Sequence, residues 1–222
     1  MLEQILAELK STNAQLIAVS KTKPNAALEA LYEKGQRAFG ENYVQELVDK
    51  AATLPTDIAW HFIGHLQSNK VKYIAPFVHC IHSVDSFKLL QEIDKQGVKN
   101  NKIIKCLLQF HIAEEETKFG FELPDDLQNS ISEVLNSDVF LNLKHVEICG
   151  VMGMATFTDD KKQVRQEFQK LKMGFDFLRE NHFKNQASFK EISMGMSDDY
   201  KMAVEEGSTM VRIGSLLFGK RG

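Results

Sequence analysis

The chain has 222 residues, a formal net charge of -3 at pH 7, 43% hydrophobic and 26% charged residues. These are the proportions of an ordinary globular protein long enough to bury one large core. No basic stripe stands out, which argues against sequence-independent nucleic-acid binding, and no apolar run approaches the roughly 20 residues that span a bilayer, which argues against a membrane partner.

The N-terminus, Met1-Leu2-Glu3-Gln4-Ile5-Leu6, carries acid rather than base and lacks a small-residue cleavage pattern. Residues 2–10 therefore read as a helix and not as a secretory leader. An apolar run at 16–20 follows and delivers Lys21 at its carboxyl end. Pro24 then suits the first turn of a helix over 25–34, with Ala27, Leu28, Leu31 and Tyr32 on one side. Further strand-like runs lie at 37–40, 58–63, 78–82, 103–110, 145–152, 189–194 and 209–213. Helically spaced segments separate them; over 160–182, Val164, Phe168, Leu171, Phe175 and Leu178 recur at steps of three and four. Ser86 and Asp198 stand where helix N-caps are expected. Cys80, Cys106 and Cys149 fall in predicted strands, and an odd number favours buried reduced thiols in a cytoplasmic protein over a disulfide framework. With four prolines and no low-complexity linker, residues 1–222 read as a single domain. Eight strands alternating with helices predict an α/β TIM-type (β/α)8 barrel with an extra N-terminal helix; a doubly wound open sheet is the alternative.

A barrel of this kind gathers functional residues at the carboxyl ends of its strands and holds phosphate after strands seven and eight. Polar and glycine-rich segments fall there: Lys21, then Gly40-Glu41-Asn42, His61-Phe62-Ile63-Gly64-His65 and His82-Ser83-Val84-Asp85. Later strand ends carry Gly150 to Thr156, Ser193-Met194-Gly195-Met196-Ser197 and Arg212-Ile213-Gly214-Ser215. Gly195 and Gly214 let backbone approach an anion, and Ser193, Ser197 and Ser215 supply hydroxyl donors, so the last two segments read as a phosphate cup rather than as two turns. Arg212 sits on an otherwise apolar strand, where it either faces a surface carboxylate or serves as a fixed donor beside a ring acceptor. A lysine amine, a phosphate cup and an arginine together suggest a phosphorylated aldehyde held as a Schiff base on Lys21.

Several stretches resemble the pyridoxal phosphate homeostasis proteins, in order and over nearly the whole chain. They are Ala18-Val19-Ser20-Lys21-Thr22-Lys23-Pro24, Phe39-Gly40-Glu41-Asn42-Tyr43-Val44-Gln45-Glu46 and Trp60-His61-Phe62-Ile63-Gly64-His65-Leu66-Gln67-Ser68-Asn69-Lys70. His82-Ser83-Val84-Asp85-Ser86, Gly150-Val151-Met152-Gly153-Met154-Ala155-Thr156, Ser193-Met194-Gly195-Met196-Ser197-Asp198-Asp199 and Gly207-Ser208-Thr209-Met210-Val211-Arg212-Ile213-Gly214-Ser215 complete the match. The resemblance implies a fold-type III PLP-binding barrel like the N-terminal domain of bacterial alanine racemase, with pyridoxal 5'-phosphate (PLP) held as an aldimine on Lys21. Carried across by motif, Arg212 faces the pyridine nitrogen, and Ser197, Gly214 and Ser215, with Ser193, hold the phosphate. Asn42 lines the pocket near the ring, and Met154 packs on the ring face, where a thioether suits sulfur–aromatic contact. Ser215 stands where many relatives are expected to have threonine, a change that keeps the hydroxyl. The implied role is to bind PLP, maintain its intracellular level and hand it to PLP-dependent apoenzymes, without robust turnover. With no obvious exposed apolar helix face, a monomer is the simpler choice.

The arginine bears on mechanism, because it cannot take up a proton and so leaves the ring nitrogen neutral and a poorer electron sink. The chain stops at Gly222, soon after strand eight, so no second domain is expected to bring an opposing base, and Lys21 reads as a reversible tether rather than a catalyst. Two other classes stay open: a fold-type III PLP enzyme acting on amino acids, and a class I aldolase-like barrel whose Lys21 attacks a sugar phosphate. His61 and His65 are four apart but lack the glutamate of a zinc helix, so no metal site is expected. His79 and His82 read as structural. Lys23 reads as a surface cation placing like charge near Lys21, and Lys118 faces either the pocket or solvent.

Overall fold

The computed structural model describes residues 1–114, 119–123 and 130–219. All eight expected strands form, and one more is added. In chain order they are β1 (Gln15–Val19), β2 (Ala38–Glu41), β3 (Ala59–Phe62), β4 (Cys80–Val84), β5 (Ile104–His111), β6 (Phe121–Glu122), β7 (Val146–Gly153), β8 (Glu191–Ser193) and β9 (Met210–Ile213). Every pairing is parallel. The order β4-β3-β2-β1-β9-β8-β7-β5 is closed by a β4–β5 pairing, which makes an eight-stranded barrel and excludes the open sheet. The two-residue β6 joins β5 at Phe110 and His111, beyond the point where β4 leaves at Leu108.

The helices between the strands begin where local chemistry says they should. α1 (Leu2–Leu9) precedes the barrel, and α2 (Asn25–Tyr32) follows Pro24 at its N-cap. α3 (Val44–Thr53), α4 (Val71–Ile74) and α5 (Phe87–Lys99) come next, and the hydroxyl of Ser86 accepts from the Leu89 N–H to cap α5. After α6 (Ser130–Leu135) and α7 (Asp138–Leu141), the long α8 (Lys161–Asn181) is capped by Asp160, which accepts from the N–H groups of Lys162 and Gln163. α9 (Tyr200–Glu205) and α10 (Ser215–Phe218) close the chain. Asp198 does not cap α9 as expected; Asp199 takes the N-cap position. Its carboxylate turns back to accept from the Met196 N–H, which the turn at Gly195 leaves without a helical partner.

Two apolar layers position the mouth. Outside the strands, one cluster joins Phe39, Phe62, Ile81, Leu108 and Val151 to the inner faces of the helices, including Phe168, Leu171 and Phe175 of α8. Inside the barrel, Ile17, Ala38, Cys80, Leu107, Cys149, Met152 and Met210 meet from six strands and plug the floor. α1 lays Leu2, Ile5 and Leu9 over Leu16, Val211 and Ile213, so it covers the outer face of β1 and β9. The three cysteine thiols are unpaired and buried.

Two irregularities set which side chains face inward. In β7, Cys106 pairs with Ile148 and Leu107 with Gly150, so Cys149 is an extra, bulged residue. In β4, Ile81 and Val84 face Cys106 and Leu108, so one extra residue sits near His82 and Ser83. Bulges of this kind re-aim side chains near functional sites.

Candidate functional site

The mouth begins with the turn that presents Lys21. The Ser20 N–H donates to the Gly40 carbonyl at 3.0 Å and prolongs the ladder past β1, and the Lys23 N–H closes a turn onto the Ser20 carbonyl at 3.0 Å. Within it, Thr22 takes a left-handed φ of 63°, and its N–H donates to Glu46 Oε1 at 2.6 Å. Lys21 is half-buried. Behind the turn lies an ion pair that the sequence reading missed. The Lys50 ammonium donates to the Ser20 carbonyl at 2.7 Å, to Glu41 Oε1 at 2.7 Å and to Glu46 Oε1 at 2.6 Å. The Ser20 hydroxyl also donates to Glu41 Oε1, at 2.6 Å. Glu41 and Lys50 are both buried. Burial raises the Glu41 carboxyl above its ordinary pKa, although the bonds from Lys50 and Ser20 pull it down. Lys23 is not a simple surface cation: it donates to the Phe218 carbonyl at 3.0 Å and ties the turn to the end of α10.

On the neighbouring strand, Arg212 is buried, and it faces inward rather than toward a surface carboxylate. Its register partner on β1 is Ile17, so Lys21 follows four residues further along the adjacent strand. The guanidinium donates from Nη1 to the Ser193 hydroxyl at 2.7 Å and from Nη2 to the Gly153 carbonyl at 3.0 Å. Both partners are neutral. Burial brings Arg212 down to about 10, against which the charge of Asp199 works, so it remains a cation at neutral pH. Ser193 bonds to His82 as well, at 2.9 Å. It is the last residue of β8, with its hydroxyl engaged by Arg212 and His82, whereas Ser197 lies in the following loop.

Ser197, Gly214 and Ser215 come together at the ends of β8 and β9. The Gly214 N–H donates to the Ser197 hydroxyl at 3.3 Å, and Ser215 opens α10 directly after Gly214. Gly195 has φ +92°, and a Cβ there would meet Ala203 Cβ at 2.5 Å, so only glycine lets the β8–α9 turn close this tightly. Around the rim, Asn42 follows β2, and its buried Oδ1 has no partner among the described residues. Met154 is half-buried just past β7 and packs against the barrel-floor cluster. Its loop is pinned by Glu167 of α8, whose two oxygens accept from the Thr156 N–H and hydroxyl, each at 2.6 Å.

The remaining candidates are placed as follows. His65 lies in the loop after β3, bonded to Asp85 at 3.0 Å and stacked on Phe119 with centroids 4.0 Å apart; it shares no helix with His61. Lys118 lies outside the described residues. A cleft of about 1000 Å³ runs beside the mouth between α1, α8 and α9, with Ser197 in its lining. Lys50, Glu46 and Glu167, which support the mouth, were not picked out, and His82 was read as structural. Lys50 carried a signal: it falls three residues after Leu47 on the inward stripe of α3, and both are buried.

A sequence profile described as "Alanine racemase, N-terminal domain" matches residues 2–222. The chain is similar to the pyridoxal phosphate homeostasis protein of Aquifex aeolicus, 39% identical over 209 residues that cover 94% of this chain and 87% of that one. Among solved structures it is similar to PipY of Synechococcus elongatus with PLP bound, with TM-score 0.82 and 34% identity over 99% of this chain and 100% of that one. In fold it is similar to alanine racemase of Clostridium difficile, with TM-score 0.72, 14% identity, and coverage of 99% of this chain and 56% of that one.

Proposed function

The chain belongs to the alanine racemase N-terminal domain family, and from that premise and the residues at the mouth we propose that it binds PLP on Lys21 and maintains the intracellular supply of the cofactor. The observation that carries this reading is the pairing of β1 with β9, which raises the Lys21 turn and Arg212 on adjacent strands, with Gly214 and Ser215 directly after β9 and Ser197 of the β8–α9 loop bonded to Gly214. Those groups fit the cofactor. Lys21 supplies a primary amine, Arg212 a buried donor facing a ring acceptor, and the cup supplies hydroxyls and a backbone amide for a phosphate. The buried Asn42 Oδ1, without a partner among the described residues, fits a polar group of the ligand. PLP supplies an aldehyde that condenses reversibly with an amine and a ring that delocalises negative charge.

The chain's own residues favour holding over turnover. Arg212 carries five N–H donors and no acceptor, so beside the ring of bound PLP it would offer the nitrogen a donor and no proton-accepting partner. The Ser20–Glu41–Lys50 contacts fix the base of the Lys21 turn, and Glu167 fixes the loop carrying Met154. Release to apoenzymes follows from a tether whose bond to the amine is reversible. A genuine racemase remains the alternative reading, since the fold is shared.

The deciding experiment is spectroscopic. Purified protein incubated with PLP is expected to show a visible band that borohydride bleaches, leaving the cofactor on a peptide containing Lys21, and Lys21→Ala is expected to lose both. Labelling of another lysine, or a colourless protein that consumes a sugar phosphate, overturns the assignment. Sustained amino-acid racemisation that vanishes in Lys21→Ala overturns the holding role alone.

A further inference from the structure

Beneath the mouth, four strands each send one buried polar side chain to a single line: His61 from β3, His82 from β4, Ser193 from β8 and Arg212 from β9. His61 Nδ1 lies 2.8 Å from His82 Nε2, His82 Nδ1 lies 2.9 Å from the Ser193 hydroxyl, and Arg212 reaches that hydroxyl at 2.7 Å. A guanidinium only donates, so Ser193 Oγ accepts from Arg212. The direction that also gives the Ser193 hydroxyl proton a described partner sends it to His82 Nδ1. His82 therefore carries its own proton on Nε2 and donates it to His61 Nδ1. His61 in turn holds its proton on Nε2, an atom with no partner among the described residues. These tautomers follow from satisfying the network.

Both imidazoles are neutral. Burial holds His61 down at about 3, with His79 and Lys105 adding to the effect. It holds His82 well below the ordinary histidine value, helped by His61, Arg212 and His79. A satisfied core pair is the plainer account of two such histidines, but apolar residues bury at lower cost, and the extra residue in β4 near His82 is a feature packing alone does not require. A metal centre is the other account, because Cys80 lies with His61 and His82 in a group whose ligand atoms are all within 4.8 Å of one another. The 2.8 Å between the two imidazole nitrogens is the spacing of a shared proton, shorter than the roughly 3.3 Å between two nitrogens around a tetrahedral zinc.

We propose that His82, backed by His61, is a positioning residue for Arg212. The one-way line points the Ser193 proton away from the mouth and fixes the guanidinium so that its remaining donors face the ring nitrogen of bound PLP. This inference rests on the PLP reading above. Without the line, a long arginine side chain keeps one backbone carbonyl, that of Gly153, as its fixed partner among the described contacts, and the Ser193 hydroxyl is able to turn toward the ligand.

The test uses PLP titrations of the wild-type protein and of His82→Phe, His82→Asn and His82→Gln, read by the dissociation constant and by the pH at which the visible band titrates. His82→Phe is expected to weaken PLP binding about tenfold, equivalent to about 1.4 kcal/mol, and to move the pH titration of the band. His82→Asn places an acceptor near the Nδ1 position and is expected to restore both, whereas His82→Gln reaches toward His61, misses Ser193 and does not. Ser193→Ala removes the same link with a smaller side chain and is expected to behave like His82→Phe, which keeps the test decisive if the phenylalanine variant does not fold. Wild-type affinity and titration in Ser193→Ala and His82→Phe, or equal behaviour of the Asn and Gln variants, overturns the inference while leaving the PLP reading intact. Absence of PLP binding by the wild-type protein overturns the PLP reading itself.

Discussion

Replacing Lys50 by methionine tests whether the mouth is held by a buried charge. The Lys50 ammonium joins the Ser20 carbonyl to Glu41 and Glu46, and Glu41 is fully buried with Oε2 unpartnered. Burial already raises the Glu41 pKa above its ordinary value. The folded carboxyl therefore holds its proton more tightly than the unfolded one. The stability this gives is complete below the unfolded value of about 4.3 and is lost as pH rises through the raised folded value. Lys50 supplies two of the pulls that lower the Glu41 value, so its removal pushes that value higher and extends the loss upward in pH. At pH 7 the variant keeps either an unpaired buried carboxylate, costing about 3–5 kcal/mol, or a protonated one. Protonation costs about 1.36 kcal/mol for each of the roughly 2.7 pH units above 4.3, or about 3.7 kcal/mol. The cheaper route caps the loss near 3–4 kcal/mol at pH 7, and the same route costs only about 1 kcal/mol at pH 5. For a chain of this size the melting temperature is expected to fall by about 7–14 °C at pH 7 and about 2–4 °C at pH 5. Thermal unfolding followed by far-ultraviolet circular dichroism at the two pH values measures the difference. Adding Glu41→Gln to Lys50→Met is expected to recover most of the pH 7 loss, because the amide still accepts from Ser20. A loss of equal size at both pH values refutes the buried-charge argument.

Other consequences follow from the same geometry. Gly150 has φ +154°, and a Cβ there would meet the Glu191 carbonyl at 1.8 Å, so Gly150→Ala is expected to cost about 3 kcal/mol or more, read as a fall in the urea midpoint. Burial pushes the Cys149 thiol up to about 12 and those of Cys80 and Cys106 well above the usual range. Iodoacetamide at mildly alkaline pH is therefore expected to label none of the three in the native protein and all three after unfolding, by mass spectrometry. His61, held down at about 3 by burial with His79 and Lys105 adding to the effect, binds fewer protons folded than unfolded, and His82 shifts in the same direction. Their contribution is complete above about pH 6.5, and wild-type stability is expected to fall by about 1.4 kcal/mol per pH unit per histidine below it. Glu167→Ala releases the Thr156 contacts and is expected to cost about 2 kcal/mol, with weaker PLP binding if Met154 packs on the ring.

The strands were legible because a closed parallel barrel buries both faces, so each strand reads as a nearly continuous apolar run. Which inward residues meet was not legible, because contact across the barrel depends on register, and register depends on bulges. His82 looked like a core histidine at a strand end; only the extra residue between Ile81 and Val84, together with the Met152↔Ser193 pairing, brings it against Ser193. Ser193 itself was grouped with Ser197 by sequence proximity. One is the last residue of β8, though, with its hydroxyl bound to Arg212 and His82, and the other lies in the following loop and accepts from the Gly214 N–H. Arg212 shows the same limit from the other side. Its cost on an apolar strand signalled a paired or functional role, and the expected partner of a buried cation is a carboxylate. The bonds it makes among the described residues go instead to a hydroxyl and a carbonyl, with Asp199 acting through its charge. A cation held by dipoles keeps its donors oriented without a counter-ion competing for them, which suits a group whose task is to donate to a neutral acceptor. Had the sequence placed an aspartate where Ser193 stands, Arg212 would be better neutralised and less available to the ligand.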